Sequence, residues 1–183
     1  GEWRRYDFSL LAPGEYIPNE YQNQTTFDIS TVSIEEDGSK KPIPYVMPPG
    51  IERETNWAST NFQQLNEQSM ALDICNLVDG DARAAYKTVE FDFRQFKRLQ
   101  MFVHAEQAIQ SQDLKNGDLT VFMRIGSDFT ENFYEYEIPL AFTPWGTNAT
   151  DPDAIWPESN YFDIDLEQLV RVKYERIIEM QRP

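Results

Sequence analysis

The sequence predicts a mainly β fold: a jelly-roll-like antiparallel β-sandwich carrying a C-terminal amphipathic helix. Three observations carry this prediction. Apolar and polar residues alternate through the middle of the chain, as in Leu119, Val121, Met123 and Ile125 against Thr120, Phe122 and Arg124. Such a period of two is what half-buried strands show, because successive side chains point to opposite faces. Aromatic residues make up 14% of the 183, with 12 Phe and 9 Tyr, and these favour pleated surfaces. The last stretch then changes its period: Leu166, Leu169, Val170, Lys173, Tyr174, Ile177 and Ile178 recur every three or four residues, which predicts a helix over about 166–180.

Taken in order, Trp3 to Phe8 reads as a first strand, and Pro13-Gly14 as a turn. Thr26 to Glu36 is β-prone and closes at Asp37-Gly38. Residues 42–50 hold four prolines, Pro42, Pro44, Pro48 and Pro49, which no central strand accommodates, so they predict an extended crossing loop. Thr55 to Glu67 is polar, with room for one helical turn. From Ser69 the alternation returns with Met70, Leu72 and Ile74, and further strands are expected at Val89–Phe93, Leu99–Ala105, Leu119–Ile125 and Tyr134–Leu140. Asp163 or Asp165 can cap the final helix, which is expected to pack on the sandwich. Residues 1–183 read as one domain. Its ends, Gly1-Glu2-Trp3 and Gln181-Arg182-Pro183, predict a fragment of a larger chain.

Composition narrows the functions. The net charge is −15, from 31 acidic against 16 basic residues, so nucleic acid is not an expected partner and an anionic membrane surface repels the chain. No stretch approaches the ~20 apolar residues of a membrane helix. One cysteine, Cys75, allows no internal disulfide and reads as a packed or half-packed strand thiol. One histidine, His104, and one cysteine cannot furnish a zinc site. A Ser-His-Asp triad would have to use His104, which reads instead as an outward or partnered strand residue. No phosphate loop is present. Paired carboxylates are the remaining enzymatic option, and their sequence spacing fixes no cleft geometry.

No catalytic residue and no cofactor are therefore expected. Calcium is the one candidate ion: Asp79 and Asp81, and Asp151 and Asp153, place hard oxygen ligands in loops, although neither loop has the twelve-residue EF-hand pattern. The competing reading is solvated turns. Candidate interaction residues are Pro48 and Pro49 in the proline-rich loop, and Trp57, Trp145 and Trp156. Exposed tryptophans on a β-sandwich would point to a carbohydrate-binding module of a cell-surface protein; tryptophans anchoring loops to the core would not.

Several runs carry a resemblance. They are Tyr45-Val46-Met47-Pro48-Pro49-Gly50-Ile51-Glu52-Arg53-Glu54, the segments Gln64–Ser69, Cys75–Ala84 and Phe96–Glu106, then Asn116–Leu119, Arg124–Thr130 and Tyr134–Leu140. In their order and number they resemble the SprA/Sov family, giant outer-membrane proteins of the type IX secretion and gliding machinery of Bacteroidetes. The resemblance covers roughly residues 25–178 and supplies no catalytic motif. It implies a very large β-barrel parent protein through which folded cargo leaves the periplasm, with other secretion subunits and cargo proteins as partners. This chain would be a non-membrane domain of that parent, capping or lining the translocon. It does not read as barrel wall, whose strands need ~9–11 residues and a lipid-facing apolar band. Large excursions of such barrels are usually extracellular, which implies an extracellular position, with a periplasmic one as the alternative.

Overall fold

The structure, a computed structural model, describes residues 2–6, 25–55, 64–90, 92–110, 113–129 and 131–182. Among the described residues there are eight strands: β1 (Arg4–Tyr6), β2 (Thr26–Ser33), β3 (Gln68–Cys75), β4 (Ala84–Tyr86), β5 (Arg98–Met101), β6 (Thr120–Gly126), β7 (Phe133–Pro139) and β8 (Phe162–Asp165). Helices are α1 (Ile34–Asp37), α2 (Pro152–Ile155) and α3 (Leu166–Met180), with single 3₁₀ turns at Phe93–Gln95 and Glu158–Asn160. The chain is thus mainly β and antiparallel, with a C-terminal helix.

All four ladders, β1–β4, β2–β3, β5–β8 and β6–β7, are antiparallel and two-stranded among the described residues. Outside the ladders, backbone groups are satisfied by other means. Asn160, fully buried, shows how: its side-chain amide donates to Ala141 O and accepts from Ala141 N, both at 2.8 Å, imitating a ladder pair.

Within each ladder the register follows the alternation. In β6–β7, Val121 faces Ile138 and Met123 faces Tyr136, which places the apolar set on one face. The opposite face carries Arg124 against Glu135 at 2.5 Å, with the guanidinium over the Phe133 ring. Gly126 ends β6 because a Cβ there would lie 2.1 Å from Asn132 O. The strand β8, not foreseen from the sequence, pairs Ile164 with Leu99 and Phe162 with Met101. It brings Phe162, Ile164 and Leu166 into a core cluster against Val121, Met123 and Ile138.

A second core cluster takes in part of the proline-rich segment. Ile43, Tyr45 and Val46 are buried with Ile155 and Trp156, so this loop contributes side chains to the core. Pro48 is buried too, while Pro49 is exposed. Lacking free N–H groups at four positions, the segment cannot join a ladder, yet its rings and aliphatic side chains bury readily.

Other expectations differ in detail. β2 stops at Ser33 because the serine hydroxyl accepts from Glu36 N while Asp37 accepts from Ser33 N, a reciprocal cap that starts α1. The alternating run Val89–Phe93 forms no strand among its described residues; Val89 is exposed and Phe93 begins a 3₁₀ turn. β5 ends at Met101, so His104 lies beyond the ladder. Helix α3 has the expected bounds, with Asp165 as N-cap accepting from Glu167 N. It does not pack along its length: Leu166 is buried and Leu169 touches the core, but Val170, Tyr174 and Met180 are 66%, 66% and 75% exposed. Cys75, expected in packing, is exposed at the end of β3. The Pro13-Gly14 turn, most of the 55–67 segment and Trp57 lie outside the described residues.

Candidate interaction surfaces and the His104 cluster

The only histidine of the sequence, His104, is the residue a triad would have to use, and its surroundings bear on that role. His104 Nδ1 lies 2.8 Å from Ile155 O and 3.1 Å from Thr143 Oγ1. Its Nε2 lies 3.5 Å from Glu106 Oε2, and Lys40 Nζ donates to Glu106 Oε1 at 2.8 Å. A hydroxyl, an imidazole and a carboxylate therefore follow one another in space.

The proton placement fits a clamp. Ile155 O can only accept, so Nδ1 must carry the proton and cannot take one from Thr143. The Thr143 hydroxyl reaches the Ile155 and Ala154 carbonyls at 3.2 and 3.3 Å, and the residue is 4% exposed. His104 and Thr143 thus hold the C-terminal end of α2 against the chain after β5, satisfying carbonyls that a four-residue helix leaves open. Burial pushes the Glu106 carboxyl up, but hydrogen bonds from His104 and Lys40 and their charge outweigh it, so its pKa lies below the ordinary value.

Trp156 stands beside this cluster. It is 8% exposed, its indole N–H donates to Val46 O at 2.9 Å, and its ring meets Tyr45, Phe102 and His104 edge-on. It is the anchor of a core, and its buried ring offers no platform for a sugar. Tyr45 completes the arrangement: its hydroxyl bonds Glu67 and Ser69, and burial, followed by the Glu67 carboxylate, raises its pKa strongly. Sequence reasoning missed Thr143, Asn160 and the Tyr45–Glu67 pair, because each contact joins residues far apart in the chain without a local pattern.

The four aspartates weighed for calcium have other roles or stand apart. Asp81 is 2% exposed in its side chain; it pairs with Arg83 at 2.6 Å and accepts from Ala82 N at 2.8 Å. Asp151 caps α2 by accepting from Ala154 N, and Asp79 and Asp153 are exposed. Among the described residues no group of three or more His, Cys, Asp or Glu side chains is placed to hold a metal. Other acidic side chains sit in ion pairs, Asp163 with Arg98 and Glu35 with Arg53.

Open clefts among the described residues include two of similar size. One, of about 570 Å³, runs along Trp3, Arg4, Arg5 and Tyr86. The other, of about 560 Å³, is lined in part by Trp145, which is 39% exposed. His104 and Glu106 line neither. No described helix is long and apolar enough to cross a membrane.

Several large apolar side chains face outward among the described residues. On β3, Met70, Leu72 and Ile74 share one face and are 40%, 42% and 39% exposed. On α3, Val170, Tyr174, Ile177 and Ile178 form a stripe that nothing among the described residues covers. A search of curated proteins found no match. A family model described as motility related/secretion protein, SprA_N, matches residues 1–182. The chain belongs to the SprA_N family of motility-related secretion proteins.

Proposed function

We propose that this chain is a non-catalytic structural and interaction domain of the outer-membrane pore protein of the type IX secretion system, capping or lining its channel on the extracellular side. A periplasmic position is the alternative. Its partners would be other subunits of that machinery and the cargo that passes it.

The observation that carries this reading is the set of apolar side chains left facing outward on α3 and β3. A self-contained domain gains about 25 cal/mol for each Å² of apolar surface it removes from water, and these residues forgo that gain. They regain it when a neighbouring polypeptide covers them. The His104 cluster supports the non-catalytic part, since its hydroxyl is buried and its imidazole proton is committed to a carbonyl. The net charge of −15 would keep a channel mouth hydrated and disfavour adhesion of acidic cargo.

The test replaces Val170, Tyr174 and Ile177 together by serine in the parent protein. Because these side chains touch little of the domain's own core, folding should be retained. Cargo secretion and gliding should fall. Normal secretion from the triple variant would refute the reading, as would a secretion defect in Thr143→Val cells that tracks loss of a measurable chemical turnover.

A further inference from the structure

The cleft at Trp145 has a construction that the proposed structural role does not use. Trp145 occupies the second position of a β-turn, Pro144 to Thr147, closed by Thr147 N to Pro144 O at 3.1 Å and by the Thr147 hydroxyl to the same carbonyl at 2.7 Å. Gly146 follows at φ +85°, the left-handed third position that type II turns reserve for glycine. A doubly tied turn therefore holds a large aromatic ring at the surface rather than against the core.

Besides Trp145, the cleft is lined by Phe142 and Leu114 and by the polar side chains Gln107, Lys115, Asn116 and the buried Thr143. Gln107 Nε2 donates to Leu114 O at 2.8 Å, which fixes the amide and leaves Oε1 as an acceptor. Asn116 Oδ1 accepts from Phe142 N at 2.8 Å, which leaves Nδ2 as a donor. The Lys115 ammonium has no carboxylate partner among the described residues and is exposed at the rim.

The same contacts decide what class of ligand fits. A peptide adding itself as a strand needs free backbone groups. Here several backbone donors in and beside the wall are already used: Lys115 N on Asp118, Gly117 N on Leu140 O, Phe142 N on Asn116, and Thr143 N on Ala105 O at 2.8 Å. What remains is an aromatic platform, one fixed acceptor and one fixed donor, the set that stacks on the C–H face of a pyranose and bonds a vicinal pair of hydroxyls. At about 560 Å³ the cleft falls within the range of small-ligand sites and has room for a short oligosaccharide.

We propose that this cleft is a glycan-binding site: Trp145 stacks on a sugar ring, Gln107 and Asn116 bond its hydroxyls, and Lys115 favours a unit bearing a carboxylate. The site is separate from the outward faces of α3 and β3, so its test and that of the structural role fail independently.

The experiment titrates the purified protein with chitotriose, xylotriose and trigalacturonate, following heat and the indole N–H resonances. The expected result is millimolar or tighter binding of at least one of them, tightest for trigalacturonate, with the Trp145 resonance shifting. Trp145→Ala should weaken binding by about tenfold or more. Trp145→Phe should retain most of it, and Lys115→Gln should weaken trigalacturonate alone. The wild-type resonance reads the site without any variant, so a misfolded variant leaves the test intact. Absence of binding across the panel at millimolar concentration overturns the proposal. So does binding that leaves the Trp145 resonance unmoved, or displacement of every sugar by a tryptophan- and proline-containing peptide.

Discussion

Replacing Trp156 by phenylalanine isolates one hydrogen bond and part of one ring in the cluster that joins the proline-rich segment to the rest of the fold. The indole N–H satisfies Val46 O at 2.9 Å inside a site where both residues are 8% exposed. Phenylalanine cannot donate, and a buried carbonyl left without its partner costs about 1–3 kcal/mol. The smaller ring also withdraws packing from Tyr45 and Phe102, adding about 1 kcal/mol. The sum is about 2–4 kcal/mol, which in a domain of this size lowers Tm by roughly 4–16 °C. Urea titration with an unchanged slope would attribute the loss to stability rather than to a change in the unfolded ensemble. Trp145→Phe, at the exposed turn, should stay within about 0.5 kcal/mol of the parent. A Trp156→Phe protein as stable as the parent would refute the assignment of residues 43–46 to the core.

Other perturbations test separate parts of the account. Arg83→Met removes the 2.6 Å ion pair to the buried Asp81 carboxylate and should cost about 3 kcal/mol in a urea titration. Gly126→Ala forces a Cβ onto Asn132 O and Phe133, and should destabilise by at least about 2 kcal/mol, read as a shift in the urea midpoint. The pKa of Glu106 is depressed in the folded state, so its contribution is present above the ordinary value of 4.5 and is lost as pH falls through the lower folded value. Glu106→Gln should therefore flatten the fall of stability with pH below about 4.5, measured by unfolding at successive pH values. Cys75, exposed and the only cysteine of the sequence, should react with a membrane-impermeant maleimide on intact cells if the domain is extracellular, with Cys75→Ser as control; labelling only after the outer membrane is opened would place it in the periplasm.

Much of the ladder structure was legible because it depends on local alternation. The β6–β7 hairpin and the turn at Asp128 follow from residues whose partners are near in sequence, as does helix α3 with its Asp165 cap. What failed to show was everything set by distant pairing. Phe162 to Asp165 is a strand because Arg98 to Met101 lies beside it, and nothing in four residues announces that. Val89 to Phe93 alternates as a strand should, yet forms no ladder among its described residues, since period two permits pairing without requiring it. The prolines were read correctly as excluded from a ladder, but exclusion from a ladder does not mean exposure, and Ile43, Tyr45 and Val46 carry that segment inward. Of the interaction candidates, Trp145 and Pro49 are at the surface, whereas Trp156 and Pro48 are buried. Burial of a tryptophan depends on whether its N–H finds a partner, here a carbonyl 110 residues away in the chain.

The central claim is that this domain acts by touching other polypeptides of the secretion machinery through apolar faces that no described residue of its own fold covers. A photo-crosslinking amino acid placed at Tyr174 in secreting cells tests it most directly. The account predicts a discrete crosslink, from that position and from Leu72, to another segment of the parent pore or to a second envelope protein, and none from Glu135 on the charged face of β6–β7. Efficient secretion with no crosslink from Tyr174 or Leu72 would contradict it.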